Sequence, residues 1–282
     1  MVRFIIDSGT DILPEEAAAK GMIHLPLKVT FGEEEYADAV DMNHREFYER
    51  LVESDTLPKT SQVSPADFEA AYRQVAEAGD TAVVITISGS LSGTYQSACI
   101  AAEGYEGTVF VVDSASVAVG ERILVELGLR LRDEGLSAEE IAVRLNEEKH
   151  HIRLLALVDT LEYLKKGGRV SSAVAFAGTL LAIKPVISLE NGEVVIAGKA
   201  RGSKQGNNLL RQLVEKHGID FSRPFALAYS GLSDALLQKY IADSAELWQG
   251  YTKELPVYTI GCAIGTHAGP GAVAVAFFEK RV

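Results

Sequence analysis

The sequence predicts an α/β protein of two domains: an N-terminal one on a mostly parallel sheet, and a smaller C-terminal α+β one. Three observations carry that expectation. Apolar residues make up 47% of the 282, yet Trp, Tyr and Phe only 7%, so the core must be aliphatic. Up to about residue 150, strand-like runs alternate with helix-like ones, the order of a parallel sheet. Beyond it the alternation gives way to a hairpin and paired strands. On this reading the chain divides into residues 1–150 and 151–282, with no low-complexity linker between them.

The elements follow in order. Residues 2–6 are an apolar strand ending in Asp7-Ser8-Gly9-Thr10, residues 14–20 a short helix, 24–31 a second strand and 43–53 an amphipathic helix. Ser64 then supplies an N-cap, Pro65 the first helical position and Asp67 the return partner of a capping box, which predicts a helix over 65–78. Thr60-Ser61-Gln62 is therefore expected as a loop just ahead of it. Residues 82–87 form an uninterrupted apolar run, as a central parallel strand requires. It empties into Ser88-Gly89-Ser90-Leu91-Ser92-Gly93-Thr94 and a helix over 95–103. A strand over 108–112 ends in Asp113-Ser114, an echo of Asp7-Ser8, and helices over 117–134 and 138–150 complete the first half. The second half reads as a strand over 152–158, a short helix over 160–165, and an apolar helix over 173–182. Strands over 184–189 and 193–199 face each other across Asn191-Gly192, a strong hairpin signal. Helices over 203–217 and 234–246 and strands over 225–229, 257–260 and 273–278 follow. The glycine-rich stretch from Gly261 to Gly271 reads as a tight turn between the last two strands.

Charge and missing signals narrow the function. Lys and Arg number 27 against 39 Asp and Glu, a net −12. That balance argues against a nucleic-acid partner and against adsorption to anionic membranes. No apolar stretch approaches the ~18 residues of a membrane span. Met1 leads straight into a strand-like run, so a cytoplasmic chain without a signal peptide is expected. Cys99 and Cys262 are the only cysteines and read as reduced core thiols; no ligand spacing suggests a metal, and no motif a cofactor. The nucleophile-elbow, Walker A, zincin and dinucleotide patterns are all absent, so no catalytic residue is assigned.

What remains is a set of polar loops. The segment from Ser88 to Thr94 follows a central strand and opens a helix, whose N-terminus suits an anion; the same residues also suit an ordinary Ser/Gly cap. Thr60-Ser61-Gln62 adds neutral donors, or simply a capping turn. Gly265-Thr266-His267-Ala268-Gly269-Pro270-Gly271 brings one histidine into a backbone-rich turn. Between Thr160 and Gln205 seven cations stand against three anions, a basic stretch within an acidic chain. It suits phosphoryl groups or an acidic partner, or it is a solvated face.

Together these segments resemble the DegV family of fatty-acid-binding proteins, which includes the FakB subunits of bacterial fatty acid kinase. The resemblance spans nearly the whole chain. It rests on Ile5-Ile6-Asp7-Ser8, Lys59-Thr60-Ser61-Gln62 with Ser64-Pro65, Leu91-Ser92-Gly93-Thr94-Tyr95-Gln96-Ser97-Ala98 and Val112-Asp113-Ser114. It continues through Leu161-Glu162-Tyr163-Leu164-Lys165-Lys166-Gly167-Gly168-Arg169, Ile183-Lys184-Pro185, and Ile264-Gly265-Thr266-His267 with Gly269-Pro270-Gly271. Each is weak alone; their shared order is specific. Val63, Ala268 and the Cys262-Ala263 pair depart from the usual residues. The resemblance implies a long-chain fatty acid such as palmitate, stearate or oleate, buried between the domains. It implies that Thr60 and Ser92 hydrogen-bond its carboxylate, with Ser61, Gly93, Thr266 and His267 within or beside the same motifs. It further implies presentation to a separate ATP-dependent fatty acid kinase subunit, which Arg169 and Arg201 would face. The competing reading is a hydrolase of lipid esters using Ser92.

Overall fold

The computed structural model describes residues 1–170 and 182–281. Strand β1 (Val2–Asp7) lies inside a four-stranded, wholly parallel sheet of order β2-β1-β6-β7, with β2 (Met22–Leu25), β6 (Thr81–Thr86) and β7 (Val109–Asp113). The single strand expected over 24–31 is two strands. Pro26 has no N–H to give a ladder, and there the chain leaves the parallel sheet. It re-enters as β3 (Lys28–Phe31), the middle of a small antiparallel sheet with β4 (Glu34–Ala37) and β5 (Lys59–Ser61). Thr60-Ser61-Gln62 is thus not all loop: Thr60 is paired with Val29 across that sheet. The predicted capping box is present, with Ser64 Oγ accepting from the Asp67 N–H at 3.2 Å, and the helix runs Pro65–Glu77.

The second sheet is mixed, in the order β10-β9-β8-β13-β11-β12. Its strands are β8 (Ile152–Leu157), β9 (Ile183–Glu190), β10 (Glu193–Arg201), β11 (Phe225–Tyr229), β12 (Val257–Thr259) and β13 (Val273–Phe278). The β9–β10 hairpin turns at Asn191 and Gly192, both at positive φ (50° and 81°), as a two-residue turn of this chemistry requires. The helix expected over 234–246 breaks at Ser244 into Ala235–Asp243 and Ala245–Trp248. The expected turn after residue 261 contains a helix, Cys262–Ala268. Its cap comes from far away in sequence: Asp38 Oδ1 and Oδ2 accept the N–H groups of Cys262 and Ala263, each at 3.0 Å. No local signal marks that helix start. The apolar helix expected over 173–182 lies, but for its last residue, outside the described residues. Among the described residues no helix is long and apolar enough to cross a membrane.

Side-chain alternation sorts the core into layers. On one side of the parallel sheet, Ile5, Ala82 and Val84 pack with the helices His44–Glu53, Pro65–Glu77 and Thr94–Ala101. On the other, Phe4, Ile6, Val83 and Ile85 share a core with Ile123 and Leu124 of the Val119–Asp133 helix and with the inner face of the second sheet. The outer face of the second sheet, with Leu155, Leu157, Leu227, Val273, Val275 and Phe277, packs against Leu210 and Val214 of the Ser203–His217 helix. Its inner face carries small side chains at its centre, Ala156, Ala226, Ala228, Ala274 and Ala276, with the larger Ile152, Leu154 and Phe278 at one end. A strand repeats every two residues, so Val–Ala alternation in β13 gives one large-residue face and one small-residue face.

Candidate functional site

A cavity of about 410 Å³ opens where the carboxyl ends of the parallel sheet meet that small-residue face. The volume suits one small-molecule ligand. Ala156, Ala272 and Ala274 form part of its wall, with Leu154, Val158, Ile187 and Val194 beside them. Ala156 and Ala274 are direct cross-strand partners, so two methyl groups stand where two large side chains would close the space. Ile87, Val117 and Ala118 line it from the parallel-sheet side, and Ala263, Ile264 and Ala268 from the Cys262–Ala268 helix. Space at this depth is a consequence of side-chain size, since interiors otherwise close to crystal-like density.

The polar lining is one connected cluster. Thr60 Oγ1 and His267 Nε2 are 2.9 Å apart. Paired strand and distantly capped helix thus bring together two residues 207 positions apart. His267 Nδ1 is buried without a partner. A β-carbon on Gly167 would lie 2.1 Å from that nitrogen, which explains the glycine in the Gly167-Gly168-Arg169 turn. Burial, and secondarily the charge of Arg169, pull the His267 pKa down to about 4, so the imidazole is neutral at neutral pH. Arg169 lines the same cavity with two donors tied to backbone: Nε donates to the Leu91 carbonyl at 3.1 Å and Nη1 to that of Gly167 at 2.6 Å. Leu91, Ser92 and Gly93 continue the lining. Gly93 sits against Gln62, where a β-carbon would fall 2.1 Å from Gln62 Oε1. Gln62 is in turn fixed by donating to Ser97 Oγ at 2.7 Å.

The predicted site residues divide accordingly. Thr60, Ser61, Ser92, Gly93 and His267 all line the cavity. Thr266 does not: it is buried, and its hydroxyl donates back to the Cys262 carbonyl at 3.0 Å, satisfying its own helix. Of the serines ahead of Ser92, Ser88 and Ser90 donate to the Gly192 and Asn191 carbonyls, pinning the hairpin tip to this loop. Arg169 stands in the cavity lining and Arg201 is exposed at the end of β10. Ser92 Oγ is 2.9 Å from Thr94 Oγ1 and accepts from the Thr94 N–H. His267 is engaged with Thr60, so among the described residues no base is hydrogen-bonded to Ser92 as an activated nucleophile requires. The alanines of the wall are the part that the motifs did not reveal; the run Ala272-Val273-Ala274-Val275-Ala276 was the available signal.

Comparison with known proteins agrees with this geometry. The family model for DegV, described as an uncharacterised protein of the DegV family, matches residues 1–280. A DegV domain-containing protein of Deinococcus radiodurans is 35% identical, covering 98% of this chain and 97% of its own. One from Caldanaerobacter subterraneus subsp. tengcongensis is 33% identical over 99% of both. Among solved structures, a DegV family protein from Thermus thermophilus, described by its fatty acid binding, superposes with a TM-score of 0.88 at 31% identity over 99% of both chains. A stearic acid-binding protein from Eubacterium ventriosum superposes at 0.87, with 26% identity over 99% of both. A DegV family protein from Eubacterium eligens loaded with heptadecanoic acid does so at 0.84, with 26% identity, covering 99% of this chain and 100% of that one. Fold, motifs and relatives converge: the chain belongs to the DegV family.

Proposed function

We propose that this protein carries one long-chain fatty acid, its tail in the aliphatic cavity and its carboxylate among Thr60, Ser92, the Gly93 amide and His267. One observation carries the reading: an apolar cavity whose polar end gathers hydroxyls, an amide-bearing loop and a neutral histidine, with Gln62 and Arg169 beside them. About fifteen methylenes at about 0.8 kcal/mol each give a gross gain on the order of 10 kcal/mol, reduced by the cost of ordering the chain. The tail supplies affinity and the head group orientation. A buried carboxylate keeps its charge only with several donors, which the hydroxyls and helix-terminal amides provide. The fatty acid binding described for the Thermus protein, the stearic acid binding of the E. ventriosum protein and the heptadecanoic acid loaded in the E. eligens protein support the same assignment. A hydrolase using Ser92 has no comparable support. The protein is then a carrier, not a catalyst.

The fuller form of the proposal has the carboxylate presented to a separate ATP-dependent kinase subunit, which makes the acyl phosphate. Neutral donors favour this, because a direct Arg clamp would blunt the nucleophilicity of the carboxylate, and two donors of Arg169 are tied to the Leu91 and Gly167 carbonyls. Two experiments test the parts separately. In the Thr60→Ala/Ser92→Ala double variant, lipid retained through purification falls by about tenfold or more, since each hydrogen bond to a charged group is worth about 1.5–3 kcal/mol; unchanged occupancy removes both residues from the head-group site. Arg201→Ala retains its lipid but forms acyl phosphate more slowly with added kinase subunit; turnover equal to wild type takes Arg201 off the partner surface.

A further inference from the structure

Away from the head-group cluster, the N-terminal end of the Cys262–Ala268 helix gathers a second set of functional groups. A carboxylate oxygen of Asp38, a ring nitrogen of His44 and Cys262 Sγ lie within 4.8 Å of one another. Asp38 is 1% exposed and Cys262 1%, while His44 is partly open to solvent. Asp11 adjoins them. A β-carbon on Gly261 would lie 2.9 Å from Asp11 Oδ1, 3.0 Å from His44 Nε2 and 3.5 Å from Asp38 Oδ1, so all three atoms flank the same glycine. Asp11 Oδ2 is buried with no partner, an unmet acceptor beside that group. Both carboxylates are at most 5% exposed, and the cation beside them, Arg122, donates to the backbone carbonyl of Asp11 at 3.3 Å rather than to either carboxylate. Two buried carboxylates without a paired cation are costly to keep charged.

We propose that Asp38, His44 and Cys262 bind a divalent transition metal of the zinc class, with a fourth coordination position left open. Thiolate, imidazole and carboxylate together select such an ion over Mg²⁺ or Ca²⁺. Ligand atoms on one tetrahedral zinc stand about 3–4 Å apart, so the side chains close by about 1 Å from their present spacing. The Asp38 carboxylate accepts backbone N–H groups and the Ser8 hydroxyl and still has a lone pair free on Oδ1. The Cys262 thiol gives its proton to solvent as the metal–sulfur bond forms, and the ion offsets the charge of the thiolate and carboxylate. The site ties the helix that carries His267 to the His44–Glu53 helix.

The full-length protein, freed of metal by chelator and titrated with Co²⁺ alone, tests this. One equivalent binds, with a thiolate-to-cobalt charge-transfer absorption and the release of a proton per ion at neutral pH. Cys262→Ser and His44→Gln each abolish the absorption and weaken binding by more than roughly tenfold, while Cys99→Ser changes neither. Circular dichroism reports whether each variant is folded, and proton release from the wild type needs no variant at all. Absence of the absorption or of proton release in the wild type, or their persistence in folded Cys262→Ser, overturns the proposal. Lipid content is read separately by extraction, so failure here leaves the fatty acid assignment untouched.

Discussion

The two faces of the second sheet are built on the same strands and do opposite things. On the outer face Leu155, Leu157, Val273, Val275 and Phe277 are buried in one cluster with side chains of the Ser203–His217 and Ala235–Asp243 helices. On the inner face Ala156, Ala274 and Ala276 stand among the alternate positions, beside Leu154, and part of the volume the alanines leave is the cavity. Backbone geometry is shared, since Ala274 and Val275 are neighbours on one strand paired to Ala156 and Leu155. A binding cavity is therefore obtained here by trimming side chains on one face rather than by bending the sheet.

The comparison can be broken most decisively from the inner face. Ala274→Phe puts a ring into the cavity; it abolishes fatty acid retention while leaving stability within the ~1–3 kcal/mol cost of overpacking or below it. Lipid content and a denaturant midpoint measured on the same sample check both halves. Retained lipid would mean that the tail runs elsewhere. The converse change on the outer face, Leu155→Ala, is expected to cost about 2–5 kcal/mol in unfolding free energy and to leave lipid occupancy unchanged. A stability loss under 1 kcal/mol would show that the outer face is not the solid layer described.

The smallest expected effect concerns the polar end of the inner face. His267 takes a proton near 6.5 when unfolded and near 4 in the folded chain, because burial disfavours the charged ring. Its contribution to stability is thus present above 6.5 and lost as pH falls through 4. Relative to His267→Gln, the wild type loses stability over that window, measurable by urea unfolding at several pH values. Bound carboxylate should raise the His267 pKa, seen as a shifted imidazole titration by NMR. Parallel stability profiles for the two proteins would show an imidazole that is not desolvated.

How much of this was legible in the sequence follows from how local each cause is. The capping box at Ser64 and the Asn191-Gly192 turn act within four residues, and both elements stand where predicted. The Cys262–Ala268 helix was read as a turn because its cap, Asp38, acts from 224 residues away at its first N–H. Thr60 and Ser92 were indicated by motif, but the partnership of Thr60 with His267 depends on a strand pair and that same distant cap. The motif carries Thr266 together with His267; on a helix, neighbouring residues point about 100° apart, and the Thr266 hydroxyl turns inward. The cavity itself was hidden, because alanine at alternate positions in a strand reads as core. Only the partner strand shows that Ala274 faces another alanine.

The most direct test of the account is the content of the cavity in the unmodified protein. After purification, or after incubation with a mixture of fatty acids and removal of excess, the protein is denatured, extracted and analysed by quantitative mass spectrometry. The account predicts one long-chain fatty acid per chain. Protein that stays empty after incubation, or that yields a polar ligand in its place, would contradict it.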